Sequence, residues 1–337
     1  MIKYLYVLTS NEHDYYLEQT LLSMVSLRLH MPKAFIALLV DNRTEASLTG
    51  KRNSIIDLVN EFKSVPIEDK FNQKTRSRWL KTSMRQNIAG DFLYIDGDTI
   101  ISADLSSLEE MDIDVGAVLD SHVYLDEYVK YHPDRLKDIE TLSFSTGVNR
   151  NFTLNVYFNG GVLFCRDNKQ GHELFSEWHR LWLQYFEMGG TQDQPSLNLS
   201  NLICGNVIKE LGGIWNCQVL DDGGLRYLYN AKIIHYFSSR PGKKAYIASN
   251  DEFITSIKET GIVSEEIVEC IKDPKSLFAP NTRLILLEES SRTFYDSAFF
   301  GIAKRLFGTK LGAAIEFILS RVRKIIYIPI RRKFSKR

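Results

Sequence analysis

The sequence predicts an α/β protein with a central sheet flanked by helices and a basic helical extension at its C-terminal end. Three features carry this expectation. Apolar strand runs alternate with helix-period patterns along the first part of the chain, each strand run stops at polar residues, and the positive charge is concentrated at the end.

Tyr4 to Leu8 is a short β-rich run ending at Thr9, Ser10 and Asn11, and "YYLEQTLLSMVSLRLHMP" repeats apolar residues at helical spacing before Pro32. "AFIALLVDN" reads as a second buried strand, "SRWLKTSMRQNI" as a helix and "DFLYIDGD" as a third strand. Strand, helix, strand, helix, strand is the order of a parallel sheet with crossover helices, whose ligands bind outside the carboxyl ends of the strands. Thr9, Asp41, Asp96 and Asp98 all fall at such ends.

Further on, "VGAVLDSHV" is a strand running into polar residues, "STGVNRNF" a loop, and "VYFNGGVLFCRD" a strand. "HELFSEWHRLWLQYF" places Leu174, Trp178, Leu181, Trp182 and Tyr185 on one helical face, the pattern of core packing. "GGTQDQPSLN" is a loop entering a helix, and "AKIIHYFSSRPGKK" a strand entering a basic loop. The sequence contains neither an internal repeat nor a low-complexity linker, so a catalytic unit is expected over residues 1–285 and an extension over 286–337.

A chain of 337 residues with 44% apolar content can bury a core large enough for one such domain. Lys plus Arg equal Asp plus Glu at 42 each, which argues against a large nucleic-acid-binding surface. The balance hides an asymmetry: from Lys304 onward there are eleven basic residues against Glu316 alone, so the tail carries about +10 and the remainder about −10. Cys165, Cys204, Cys217 and Cys270 form no C-x-x-C pair and are too sparse for a disulfide framework, which predicts reduced thiols and a cytoplasmic protein. The opening apolar run is too short for a secretory leader or a membrane span.

Four stretches offer chemistry. The D-x-D of Asp96 and Asp98 supplies hard oxygen ligands for Mn²⁺, with Mg²⁺ as an alternative, although a solvated turn capped by Asp98 accounts for the same pattern. His235, ending an apolar run, offers an imidazole, a placement that a structural histidine shares. "FNGG" (Phe158 to Gly161) sets an amide and two glycines before an apolar stretch, which suits close approach of a polar ligand and equally a β-bulge. "QDQP" (Gln192 to Pro195) places Asp193 between two amides, which also reads as a helix N-cap followed by proline.

Taken in order, these stretches resemble the family 8 glycosyltransferases, retaining enzymes of the Rossmann-like GT-A fold that include glycogenin and bacterial galactosyl- and glucosyltransferases of lipopolysaccharide synthesis. The resemblance runs from about Ile2 to Lys244. It implies a mixed central sheet and assigns Asp96, Asp98 and His235 to a Mn²⁺ site on the diphosphate of a UDP-sugar. It further implies that Asn159, Gly160 and Gly161 contact the donor sugar and the acceptor, that Asp193 binds sugar hydroxyls, and that the Gln194 amide lies near the β face of the anomeric carbon. Thr9, Asn11 and Tyr15 correspond to the uridine pocket, and Arg78, with Lys81 one turn on, to the arginine that reaches the donor. The phosphate loop departs from the family's H-x-x-G-x-x-K, since Ser238 and Pro241 stand at the spaced positions; Arg240 and Lys243, with Lys244 next to it, are the basic candidates for the diphosphate.

On that resemblance the expected activity is metal-dependent, retaining transfer of galactose or glucose from a UDP-hexose to a saccharide acceptor, lipid-linked as in lipopolysaccharide core. The alternative is an inactive sugar-nucleotide-binding protein at the membrane surface. In "LGAAIEFILSRVRKIIYI", Leu311, Ile315, Ile318, Leu319, Val322, Ile325 and Ile326 share one helical face while Glu316, Ser320, Arg323 and Lys324 share the other. This predicts a helix lying in an anionic membrane interface, aided by the charges of "RRKFSKR"; a C-terminal helix packed on the body is the competing reading. The apolar face argues against nucleic acid as the partner.

Overall fold

The computed structural model describes residues 1–131, 133–146, 155–219, 224–236, 251–274, 297–306, 309–315, 317–319 and 321. Seven strands form its main sheet: β1 (Lys3–Leu8), β2 (Phe35–Asp41), β3 (Glu61–Val65), β4 (Phe92–Ile95), β6 (Val115–Leu119), β7 (Phe158–Cys165) and β8 (Ile208–Glu210). Their spatial order is β3-β2-β1-β4-β7-β6-β8. The central members are buried on both faces, so their sequences run apolar instead of alternating.

Alternate residues still face opposite layers. Tyr4, Tyr6 and Leu8 of β1 join Ile36, Leu38 and Val40 of β2 in one core, whereas Leu5, Ala37 and Leu39 point into the other. The first core is covered by α1 (Tyr16–His30) with α9 (Asp251–Thr260) and α10 (Glu265–Lys272), through Leu21, Ile254, Ile257 and Ile267. The second is covered by α3 (Gln73–Thr82), α4 (Met84–Asn87) and α7 (Lys169–Glu187), through Leu80, Met84, Trp178 and Trp182. The expected apolar face of α7 is buried throughout.

The expected parallel pairing holds for β3, β2, β1 and β4, but β7 runs antiparallel to both β4 and β6, so the sheet is mixed. That reversal matters for the site, because antiparallel register carries Ile95 opposite Val162 and lets the Asp96 N–H donate to the Gly161 carbonyl at 2.8 Å. β3 had no signal in the sequence: "EFKSV" is an exposed edge strand with one buried residue, and edge strands need no apolar run.

A second, smaller sheet pairs β5 (Thr99–Ile101), β10 (Ile233–His235) and β9 (Cys217–Gln218) in the order β5-β10-β9. β5 begins immediately after Asp98, so the D-G-D turn is the junction at which the chain leaves one sheet and enters the other. His235 pairs with Thr99, and the Tyr236 N–H donates to the Asp98 carbonyl at 3.1 Å. Residues 137 apart in sequence thereby become neighbours. Gly97 is required at the junction because a Cβ there would stand 2.3 Å from Thr20 Oγ1 on α1.

The chain divides into two compact units, Met1–Arg283 and Leu284–Arg337. In the second, Ala298–Leu306 is helical, and Phe299, Ile302, Leu311, Phe317, Ile318 and Leu319 are all exposed.

Candidate active site

At the carboxyl ends of β1 and β4, a cavity of about 740 Å³ is lined by Thr9, Tyr16, Gln73, Lys74, Arg78, Lys81, Tyr94, Asp96, Asp98, Asn159, Gly161, Asp193, Gln194 and His235, among others. Its size suits a ligand of nucleotide dimensions. Each strand end contributes because the strand's hydrogen-bonded ladder stops there and frees the next side chains to face solvent.

Asp96, Asp98 and His235 each present one ligand atom, and these atoms lie within 4.8 Å of one another. His235 is buried and its Nε2 is 3.2 Å from Asp98 Oδ1. Burial acts to raise the Asp98 carboxyl, but the charge and hydrogen bond of His235 outweigh it and hold Asp98 below the usual carboxylate range. Two carboxylates and an imidazole make a donor set able to hold a divalent cation.

Lys81 lies at the middle of the site. Its Nζ is 3.2 and 3.3 Å from the Asp96 oxygens, 3.5 Å from Asp193 Oδ2 and 5.1 Å from the centre of the Tyr94 ring. Tyr94 donates its hydroxyl to Asp96; burial first, and the Asp96 charge second, push that phenol well above its usual range and keep the donor protonated. Arg78 Nε stands 2.9 Å from Asp193 Oδ1. Asp193 is nearly inaccessible, and burial alone would raise its carboxyl, yet Arg78 and then Lys81 pull it below the usual range. Although Asp193 precedes α8 (Gln194–Ile203), its side chain makes no capping bond; it turns to these two cations instead. The Trp178 indole N–H, donating to the Asp193 carbonyl at 2.9 Å, ties the segment to the core beneath it.

The β-bulge reading of "FNGG" holds. The β6–β7 ladder loses register between Ala117 and Leu119, and the same irregular segment meets the site. Gly161 has no room for a side chain: a Cβ would lie 2.4 Å from His235 Cε1, 2.9 Å from Asn159 Oδ1 and 2.9 Å from Asp96 Oδ2. Asn159 Oδ1 accepts the Gly161 N–H at 2.8 Å, and Gly160 N–H points to Gln194 Oε1 at 3.3 Å.

Other expected residues are placed differently. Asn11 pairs with Gln73 at 2.6 Å and is not in the cavity wall. Tyr15 lies beneath Lys258, whose Nζ is 4.5 Å from the ring centre; the neighbouring Tyr16, 41% exposed, supplies the aromatic in the wall, because the turn before α1 rotates the two side chains apart. Asp41 caps α2 (Asn42–Ser47) and pairs with Arg76 at 2.5 Å, so it is structural. Arg240 and Lys243, with Ser238, Pro241 and Lys244, lie outside the described residues.

The sequence profile described as glycosyl transferase family 8 matches residues 8–243. The chain belongs to this family. The solved structure of the galactosyltransferase LgtC in complex with donor and acceptor sugar analogs superposes with a TM-score of 0.50 at 17% identity, covering 80% of this chain and 99% of that one. Glycosyltransferase GlyE of Streptococcus pneumoniae TIGR4 gives 0.47 at 18% identity over 84% and 67% of the two chains. Mouse xyloside xylosyltransferase 1 gives 0.44 at 16% over 72% and 100%. No curated protein sequence matches the chain. The fold of this glycosyltransferase is thus GT-A, with a D-x-D cluster able to take a divalent metal.

Two groups that sequence reasoning missed also belong to the site. Asp120, at the end of "VGAVLD", accepts from Asn159 Nδ2 at 2.7 Å and from Gln194 Nε2 and the Tyr128 hydroxyl at 2.8 Å each. Its signal was present, since it is another strand-end carboxylate. Asn216, behind His235, had none. From the glycine clearances, Gly161→Ala is expected to lower divalent-metal affinity by about tenfold or more while the protein still melts cooperatively, as read by metal titration beside thermal unfolding; unchanged affinity would show that the ligands do not need this space.

Proposed function

We propose that this glycosyltransferase catalyses metal-dependent, retaining transfer of a hexose, galactose or glucose, from a UDP-sugar to a surface-glycan acceptor such as lipopolysaccharide core or another lipid-linked saccharide. The observation that carries the donor class is the charge of the cavity. Lys74, Arg78 and Lys81 balance Asp96, Asp98 and Asp193 along its wall. A divalent ion at the D-x-D cluster leaves an excess of about two positive charges, the complement of a nucleotide diphosphate.

Bound there, the cation supplies Lewis acidity toward the diphosphate leaving group. The chain's own residues do the rest. Thr9 and Tyr16 offer a polar group and a ring to the nucleoside, and Arg78 and Lys81 hold Asp193 where it can accept from sugar hydroxyls. Lys81, between Asp96 and Asp193, adds positive charge where the phosphate and the sugar meet. A retaining double displacement needs a carboxylate nucleophile beneath the ring. Gln194 is an amide there, a poor nucleophile, with its Nε2 already given to Asp120. Departure and attack on the same face of a short-lived ion pair therefore fit better: the anomeric C–O bond breaks with its electron pair going to the diphosphate, and the acceptor hydroxyl forms the new bond as its proton passes to the departing diphosphate oxygen. Arg240 and Lys243, which lie outside the described residues, would assist the diphosphate.

The tail supports a membrane-side role. Phe299, Ile302, Leu311, Phe317, Ile318 and Leu319 are exposed, the charge of the tail is strongly positive, and no helix among the described residues is long and apolar enough to cross a membrane. An interfacial helix at the inner face of the cell membrane fits this combination and would bring the enzyme to a lipid-linked acceptor. The catalytic unit in this reading is 1–285 and the extension 286–337.

Asp96→Ala or Asp98→Ala should abolish Mn²⁺-dependent transfer, a loss of about 10³-fold or more, whereas Gln194→Ala should leave donor binding within a few-fold of the parent. Transfer assays with Mn²⁺ and with EDTA check this; full activity of both aspartate variants in EDTA would remove the metal from the reading. Truncation after Leu287 should move the protein from the membrane pellet to the supernatant and leave UDP-sugar hydrolysis measurable, and a truncated protein that still pellets would exclude the tail as the anchor.

A further inference from the structure

We infer that Asn216 is a positioning residue for His235, the end of a hydrogen-bond relay anchored on Asp120 that fixes which imidazole nitrogen faces the metal cluster. The inference rests on the proposed metal site of Asp96, Asp98 and His235. Asn216 is completely buried and absent from the cavity wall, so it acts on a ligand only through other side chains. It sits just before β9, which is parallel to β10, and thus beside the strand that carries His235.

The polarity of the relay follows from its terminus. A carboxylate oxygen accepts, so Asp120 Oδ1 accepts a hydrogen bond from Asn159 Nδ2 at 2.7 Å, which turns the Asn159 oxygen to the opposite side. That oxygen accepts the Gly161 N–H at 2.8 Å and Asn216 Nδ2 at 2.9 Å. Asn216 is then left presenting Oδ1, an acceptor, to His235 Nδ1 at 2.9 Å. The imidazole must carry a proton on Nδ1, which assigns Nε2 to the side of Asp98 and the ligand cluster. Neither Asn159 nor Asn216 can be turned around without setting two donors or two acceptors against each other.

Asp120 is itself held rigidly. The two residues after it, Ser121 and His122, adopt φ of 54° and 58°, a left-handed conformation that non-glycine residues seldom take. Buried Gln218 keeps them there, accepting the Ser121 N–H at 2.9 Å and donating to the Leu119 carbonyl at 2.9 Å. Because Asp120 Oδ2 also accepts from Gln194 Nε2, one carboxylate orients both the metal-facing imidazole and the amide assigned to the sugar's β face.

The test uses the full-length chain, Mn²⁺ alone as the probe, and two variants. Asn216→Leu keeps the branched shape and deletes both bonds; Asn216→Asp keeps the acceptor for His235 Nδ1 and deletes the donation to Asn159. Titration calorimetry or Mn²⁺ electron resonance should show N216L binding Mn²⁺ about 10- to 100-fold more weakly than the parent, with N216D restoring affinity to within a few-fold. Parent-like affinity in N216L, or equal losses in both variants, would overturn the relay. If N216L does not unfold cooperatively, N216D decides: weakened Mn²⁺ binding with an unchanged melt would overturn it, and retained binding upholds it. A parent protein that binds no Mn²⁺ would instead overturn the metal site and the relay together.

Discussion

Repulsion among three carboxylates facing one cavity is the constraint on which the site depends. At the 4.8 Å span of the cluster, two ionised groups oppose each other by on the order of 3 kcal/mol in a partly shielded protein site. Asp96, Asp98 and Asp193 stay close because each has polar partners facing it: Lys81 and Tyr94 for the first, His235 for the second, Arg78 and Lys81 for the third. Those partners hold Asp98 and Asp193 below the usual carboxylate range and leave Asp96, Asp98 and His235 as a cluster able to bind a cation. Lys81 is the shared element, and its ammonium marks where positive charge is most favourable.

Two sheets meet to create that density of charge. Asp96 belongs to the end of the main sheet, next to Gly161 of an antiparallel neighbour, and Asp98 to the start of the small sheet, next to His235. The single residue between them, Gly97, lets the chain change sheets against α1, and Gly161 leaves the volume into which the ligand side chains turn. Packing extends the control outward: Trp178 of the second core holds the Asp193 backbone, and the strained turn after Asp120 holds the amide relay. Function is thus placed by core residues as much as by the groups that face the cavity.

The sequence made much of this legible, for physical reasons. Strands buried on both faces announce themselves as apolar runs, and polar residues at their ends mark the ligand side of an α/β sheet, which is how Thr9, Asp96, Asp98 and His235 were found. The edge strand at Glu61–Val65 lacked the apolar run, and the antiparallel insertion of β7 depends on tertiary packing that no local pattern encodes. Tyr16 lines the cavity where the resemblance had pointed to Tyr15, a difference of one rotation of the chain before α1. Asn216 was beyond reach because a buried amide gains its meaning only from what it touches.

The most direct measurement is thermal stabilisation and hydrolysis across a panel of UDP-sugars, each with Mn²⁺ and with EDTA. A charge-balanced cavity completed by a divalent ion predicts that UDP-glucose or UDP-galactose stabilises and is slowly hydrolysed by the protein in Mn²⁺, and that both effects vanish in EDTA. Stabilisation that is the same in EDTA, or none by any UDP-sugar in Mn²⁺, would contradict it.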